Sequence, residues 1–264
     1  MADHVAGTVA READKRVTRT PTTAILFPLR LEARPFLKRL GRAERAGRGR
    51  LTAWRATFHG NDLLIVRTGV GRQRTVTALE WLLARAPAGI VISAGFAGAL
   101  GAELEVGDVV AARDVVDEKL ASIQTTWRPN GIRGGRVLTM ARVIGDPAEK
   151  RQLNVRHQAC AVDMESAVVG NWCAERGIRF GVIRAITDDV ETSISPAVAR
   201  LVSNERGSIL SSLGGMAREP GQSLRELWRL RRNALVAGER LADTICGAIV
   251  SGVEREAWGL VRKA

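Results

Sequence analysis

The sequence predicts an α/β protein, and three observations lead there. Strand-like and helix-like patterns alternate from residue 24 to residue 191. Gly89 to Ser93 is a continuous apolar strand that runs into a small-residue segment, Ala94 to Leu100. The stretch 159–191 reads strand, helix, strand, with an acid at each edge. At 264 residues and 45% hydrophobic composition, the chain can build one such domain with appendages.

The stretch 159–191 organises the rest. Ala161, Val162 and Asp163 end a short strand, and Met164 and Glu165 open a helix. Met164, Ala167, Val168 and Trp172 recur at helical spacing, and Gly177 supplies the stop. Phe180 to Ile186 is a buried strand with Asp188 just past its carboxyl end, the edge where open α/β sheets place ligands. A glutamate and an aspartate facing one crevice could hold a polar substrate and protonate part of it. Adjacent residues face opposite ways, so only one of Asp188 and Asp189 enters such a crevice.

Residues 1–22 read as a disordered arm, 23–215 as the main domain and 216–264 as a basic amphipathic helical tail. Within the domain, Ala24 to Leu29 is the first strand, and a helix with Phe36, Leu37 and Leu40 on one side follows. Glu32 falls in its first turn, where the helix dipole alone would favour an acid. Residues 41–50 form a basic turn. Leu51 to Phe58 and Asp62 to Thr68 make a hairpin through His59-Gly60-Asn61. Gly69-Val70-Gly71 opens a helix from Arg72 to about Ala86. Such a turn reads either as a tight connection or as an anion cradle. Residues 117–136 read as a mobile loop that Trp127 could anchor, and Val137 to Ile144 as a strand. Asp146 to His157 is a short charged helix. A helix over Ile194–Leu213 and a break at Gly214–Gly221 follow. Ser223-Leu224-Arg225-Glu226 reads as the capping box of a long helix, apolar on one face and arginine-rich on the other. That pattern fits a membrane surface or packing on the domain or a partner subunit.

Composition narrows the class further. Forty Lys and Arg against 28 acids give a net charge of +12, which favours an anionic partner. No basic run is interleaved with aromatics, which argues against nucleic acid. Cys160, Cys173 and Cys246 are far apart and suit a reducing, cytoplasmic compartment rather than a disulfide framework. No Cys/His spacing resembles a metal site. The first 20 residues lack the apolar segment of a signal peptide, and no stretch of 18 uncharged apolar residues exists.

Two segments, Val162-Asp163-Met164-Glu165-Ser166 and Arg184-Ala185-Ile186-Thr187-Asp188, resemble the nucleoside phosphorylase/nucleosidase superfamily, and within it the methylthioadenosine/S-adenosylhomocysteine nucleosidases. The Gly69-Val70-Gly71 turn, the Ala94–Leu100 segment and Val106-Gly107-Asp108-Val109-Val110 are similar to family motifs in the same order, the last of them a strand. Related enzymes close a variable segment at 117–136 over the substrate, so the resemblance alone implies a lid role for Trp127. The resemblance implies a three-layer α/β/α fold with a central mixed sheet and cleavage of a purine N-glycosidic bond. It makes Asp188 the acid that protonates the base and Glu32 the group that activates water. Glu165 and Met164 would bind the ribose, and Gly71 would pack near it. Phe96, Ala97 and Gly98 would contact base and sugar. Val143 and Ile144 fall where an aromatic stacks on adenine in the nucleosidases. Phosphorylases place an arginine where Glu32 stands and often another where Ser93 stands, so hydrolysis is favoured. Phosphorolysis with Arg30, Arg72 or Arg74 recruited stays open, and so does a catalytically idle ligand-binding scaffold at the membrane surface, since Phe96 and the missing base-stacking aromatic depart from the family pattern. No cofactor is implied, with phosphate a co-substrate only in the second case. The tail, from the Arg218-Glu219-Pro220-Gly221 break through Arg231-Arg232, is similar to that of the hopanoid-associated branch, which implies adenosylhopane as substrate. Superfamily relatives are commonly dimers or larger, which implies a homodimer or larger assembly here, and the basic amphipathic tail would let a cytoplasmic protein meet the inner membrane face peripherally.

Overall fold

The computed structural model describes residues 22–47, 51–86, 88–203 and 220–261. Residues 1–21 of the expected arm, 204–213 of the expected helix and most of the expected break at 214–221 lie outside them, while Thr22, assigned to the arm, begins the first strand. In chain order the elements are β1 (Thr22–Phe27), α1 (Arg30–Arg39), β2 (Glu44–Arg45), β3 (Thr52–Phe58), β4 (Asn61–Arg67), α2 (Arg72–Leu83) and β5 (Ala88–Ala99). Then come β6 (Val109–Asp117), β7 (Ser122–Gln124), β8 (Arg133–Thr139), α3 (Pro147–His157), β9 (Ala161–Asp163) and α4 (Ser166–Ala174). The last are β10 (Arg179–Asp188), α5 (Pro196–Ser203) and α6 (Pro220–Val261).

Alternation along the strands builds the three layers. In β1, Ala24 and Leu26 face one core, with Ala78, Leu79 and Leu82 of α2 and Trp172 of α4. Ile25 and Phe27 face the other, with Ala33 and Phe36 of α1 and Leu241 and Ile245 of α6. The mixed sheet runs β10-β6-β8-β9-β5-β1-β4-β3-β2, with β7 on β6. β10 also pairs with β5 in parallel, so β5, β10, β6, β8 and β9 close on themselves. Strands β1, β4 and β5 run parallel, and their carboxyl ends lie at one edge.

Several sequence expectations shift. The small-residue segment 94–100 is strand through Ala99, because β5 keeps pairing with β10 as far as Gly98 and with β9 at Gly98 and Ala99. Asp188 is therefore the last residue of β10 rather than one beyond it. The register slips between Ile186 and Asp188, a local irregularity that re-aims the end of the strand. Residues 117–136 are largely ordered, since β6 extends to Asp117, β7 pairs with it, and β8 begins at Arg133 rather than Val137. β8 ends at Thr139, after which the Met140 N–H turns to the Asp163 carbonyl, so Val143 and Ile144 lie in a connecting segment. Helix α4 starts at Ser166, leaving Glu165 at its cap. Helix α6 starts at Pro220, where a proline suits a first turn, rather than at Ser223.

Trp127 is an anchor and not a lid. Its N–H donates to the Phe180 carbonyl at 2.9 Å, and its ring lies on β10, where a β-carbon on Gly181 would stand 2.4 Å from it. Gly181→Ala should therefore expel the indole and destabilise the fold by roughly 1–3 kcal/mol, the usual scale of overpacking. Urea denaturation, together with loss of the native tryptophan emission signal, measures this.

Candidate functional site

The carboxyl ends of β1, β5 and β10 and the starts of α1 and α4 surround a cavity of about 470 Å³. Glu32, Glu165 and Asp188, more than 20 residues apart in the chain, all line it, and each is about 95% or more buried. Met164, Phe96, Ala97, Gly98, Val143 and Ile144 line it as well. Of the residues singled out from sequence for this site, Gly71 alone stays outside the lining and acts through another group.

Glu32 sits where the first turn of α1 meets β5. Its Oε2 accepts from the Leu29 N–H at 2.5 Å, half of a capping box, and its Oε1 accepts from the Phe96 N–H at 2.8 Å. Burial pushes its pKa up to about 8 against the pull of those two N–H groups and of Arg184. Glu165 is held by the Gly71 N–H at 2.8 Å. Gly71 has φ +91°, a conformation glycine adopts without strain, and it turns that N–H toward the carboxylate. The anion this Gly-x-Gly turn receives is thus the protein's own glutamate. Burial first, then the charge of Asp163, pushes Glu165 up to about 7.

Asp188 lies against the backbone of Gly98, where a β-carbon would stand 2.8 Å from its Oδ2. The same oxygen accepts from Lys150 Nζ at 2.6 Å, and Oδ1 accepts from the Thr187 hydroxyl at 2.9 Å. Burial raises the Asp188 pKa in spite of Lys150. Lys150 is the residue that the sequence reading missed. It lies in a helix whose surrounding residues are polar, which reads as a solvated face, yet it is wholly buried. Its three ammonium protons meet three oxygens: Asp188 Oδ2, the Asp189 carbonyl at 2.7 Å and the Thr192 carbonyl at 3.1 Å. Asp189 lies outside the cavity lining, and its Oδ1 accepts from the Thr192 hydroxyl.

Beneath the cavity, Arg184 is also wholly buried. Its Nε donates to Asp163 Oδ2 at 2.6 Å, and its Nη2 donates to the hydroxyls of Ser93 at 2.7 Å and Ser166 at 2.9 Å. Its Nη1 is left without a partner, near Gly95 and Glu32 Oε1. Arg30, Arg72 and Arg74 do not line the cavity. The cations that do are Arg142 and Arg231, both exposed. The tail helix contributes Leu227, Leu230 and Ala234 to the wall, and its Asn233 amide donates to the Thr187 carbonyl at 3.0 Å, next to Asp188. Among the described residues no group of three or more His, Cys, Asp or Glu could hold a metal ion, and no helix is long and apolar enough to cross a membrane.

A mixed sheet with three buried carboxylates at its strand ends can do acid–base chemistry on a small substrate, and similarity to known proteins gives the class: an enzyme of the nucleosidase and nucleoside phosphorylase type. The chain belongs to the phosphorylase superfamily, whose family model matches residues 22–131 and 129–210. It is 30% identical over 164 residues to the 5'-methylthioadenosine/S-adenosylhomocysteine nucleosidase of Bacillus velezensis, a match that covers 50% of this chain and 70% of that protein. The Bacillus subtilis protein of the same name is 28% identical over 161 residues, with the same coverage. In fold, the chain is similar to the Neisseria meningitidis nucleosidase in complex with methylthio-immucillin-A. The TM-score is 0.67 at 16% identity, over 88% of this chain and 100% of the other.

Two tests follow from this geometry. Lys150→Met would strand the Asp188 carboxylate in the interior, so stability should fall by about 3–5 kcal/mol, as when one member of a buried ion pair is removed. Adding Asp188→Asn should recover part of the loss, and a double-mutant cycle in urea reads the coupling. The raised carboxyl pKa values also set a pH dependence. Glu165 and Glu32 hold a proton more tightly when folded than at their ordinary 4.5. Their contribution is full below that value and is lost as pH rises through about 7 and about 8. The melting temperature should therefore fall between about pH 5 and pH 8.5. Glu165→Gln, which keeps an acceptor for the Gly71 N–H, should flatten that slope.

Proposed function

We propose that the protein hydrolyses the N-glycosidic bond of a purine nucleoside whose 5′ substituent is apolar, a lipid-linked adenine nucleoside such as adenosylhopane. The observation that carries this reading is the meeting of Glu32, Glu165 and Asp188 in one cavity with largely apolar walls. Cleavage requires a neutral leaving base and a stabilised cationic sugar. Asp188, its pKa raised by burial, donates a proton to N7 as the bond from C1′ to N9 breaks. Glu165 accepts hydrogen bonds from the ribose hydroxyls and offsets the oxocarbenium charge, with Met164 packed under the sugar. Glu32 takes a proton from the water whose oxygen bonds to C1′. Thr187 and Lys150, bonded to the two Asp188 oxygens, fix the direction of that carboxyl.

The similarity to methylthioadenosine/S-adenosylhomocysteine nucleosidases supports adenine as the base. The apolar 5′ end is supported by Leu227, Leu230 and Ala234 of α6, and by Leu31 and Ile194, at the cavity wall. Hydrolysis is preferred to phosphorolysis because Arg30, Arg72 and Arg74 stand outside the cavity.

The test is a mass-spectrometric screen of adenosine, methylthioadenosine, S-adenosylhomocysteine and adenosylhopane, each with and without phosphate. Adenine and the free sugar should appear without phosphate, fastest from the apolar substrate. Asp188→Asn should lower kcat by roughly 10²–10⁴-fold, the usual contribution of a general acid, while circular dichroism stays unchanged. Normal turnover in that variant removes the acid assignment, and release that requires phosphate replaces hydrolysis by phosphorolysis.

A further inference from the structure

Of the nine large hydrophobic side chains that the described residues leave exposed, four lie on α6 and a fifth on the helix packed beside it. Leu224, Trp228, Leu235 and Val236 lie on α6, and Leu31 lies on α1, which packs along it. Leu224, Trp228, Arg231 and Leu235 are spaced by four, three and four residues, so they form one stripe on the outer side of the helix. Trp228 is 60% exposed, and the Arg231 guanidinium sits 5.4 Å from its ring centroid. The stripe runs on into the cavity, because Arg231 and Leu31 are both exposed and cavity-lining, and Leu227 and Leu230 line the wall beside them.

We propose that this face of α6 is a docking surface for an anionic lipid bilayer, with the cavity mouth held against the membrane. The charge around the stripe selects the occupant. Between Leu224 and Val236 the helix carries Arg225, Arg229, Arg231 and Arg232, all exposed, against the single acid Glu226, whose carboxylate is turned inward onto the Ser195 N–H. Guanidinium groups beside a tryptophan and leucines match the phosphate and acyl boundary of a bilayer. A second copy fits less well, because two such faces brought together would set the same four arginines against each other. The helix lies on the surface rather than entering the membrane, since it lacks the apolar length to cross. The proposal rests on the apolar 5′ substituent argued above: a nucleoside with its lipid end in the bilayer could reach the carboxylates without leaving it.

The test is co-sedimentation of the full chain with phosphatidylcholine vesicles and with vesicles that also contain phosphatidylglycerol, at low and high salt. The protein should bind the second kind preferentially, and binding should weaken with salt. Trp228→Glu with Leu235→Glu, neither of which lines the cavity, should lower the bound fraction about tenfold. The same variant should release adenine from a soluble nucleoside, without lipid, at the unaltered rate. No vesicle binding, or equal binding by the variant, overturns the proposal. So does a dimer, seen by analytical ultracentrifugation, that the double variant abolishes while vesicles are ignored. Vesicle binding lost in the variant, with no base released from any nucleoside, would uphold the docking surface and reject the proposed reaction instead.

Discussion

The buried guanidinium of Arg184 is the constraint on which the site depends. It stands in the middle of β10, where a side chain facing the domain interior would ordinarily be apolar. Its bonds reach β9 through Asp163, β5 through Ser93 and the start of α4 through Ser166. An isolated charge at that depth would be prohibitive; paired and hydrogen-bonded it is tolerated, and it admits one arrangement of its neighbours. Asp163 repeats the logic from the other side, accepting from Thr139 at the end of β8 as well as from Arg184 and Ser166. The network thus ties together four strands of the closed sheet beneath the cavity floor.

The electrostatics of the cavity follow from that floor. Arg184 pulls the Glu32 pKa down while Asp163 pushes Glu165 up, and burial raises both. Each carboxylate is then held by backbone or side-chain donors from a distant part of the chain: Glu32 by Phe96, Glu165 by Gly71, Asp188 by Lys150. Groups fixed in this way need little reorganisation when charge develops on a bound sugar. Lys150 also secures the segment after β10, since it bonds two carbonyls there besides the aspartate.

Much of this was legible in the sequence, and the residues show why. Strand alternation and apolar runs located nearly every element, because burial on one or both faces writes a period into the chain. Asp188 and Glu165 were visible through their places at a strand end and a helix start, whereas Glu32, an acid that the helix dipole alone would favour, was singled out only by the family resemblance. Errors fell where pairing rather than propensity sets the structure. Small residues at 94–99 look like a loop until β10 and β9 supply partners. Trp127 looks free until Gly181 offers it a flat seat on β10.

Periodicity and element ends are local properties, so the layers of the fold, and the places of Asp188 at a strand end and Glu165 at a helix start, can be read along the chain. Packing in three dimensions set the rest: Gly71 serves Glu165, Lys150 leaves a polar helix to reach Asp188, and the tail helix walls the cavity. Those outcomes turn on groups 38 or 94 residues apart meeting in the buried interior. No local pattern encodes such a meeting, since a lysine in a polar helix or a glycine in a turn looks the same whether its partner is solvent or a buried carboxylate.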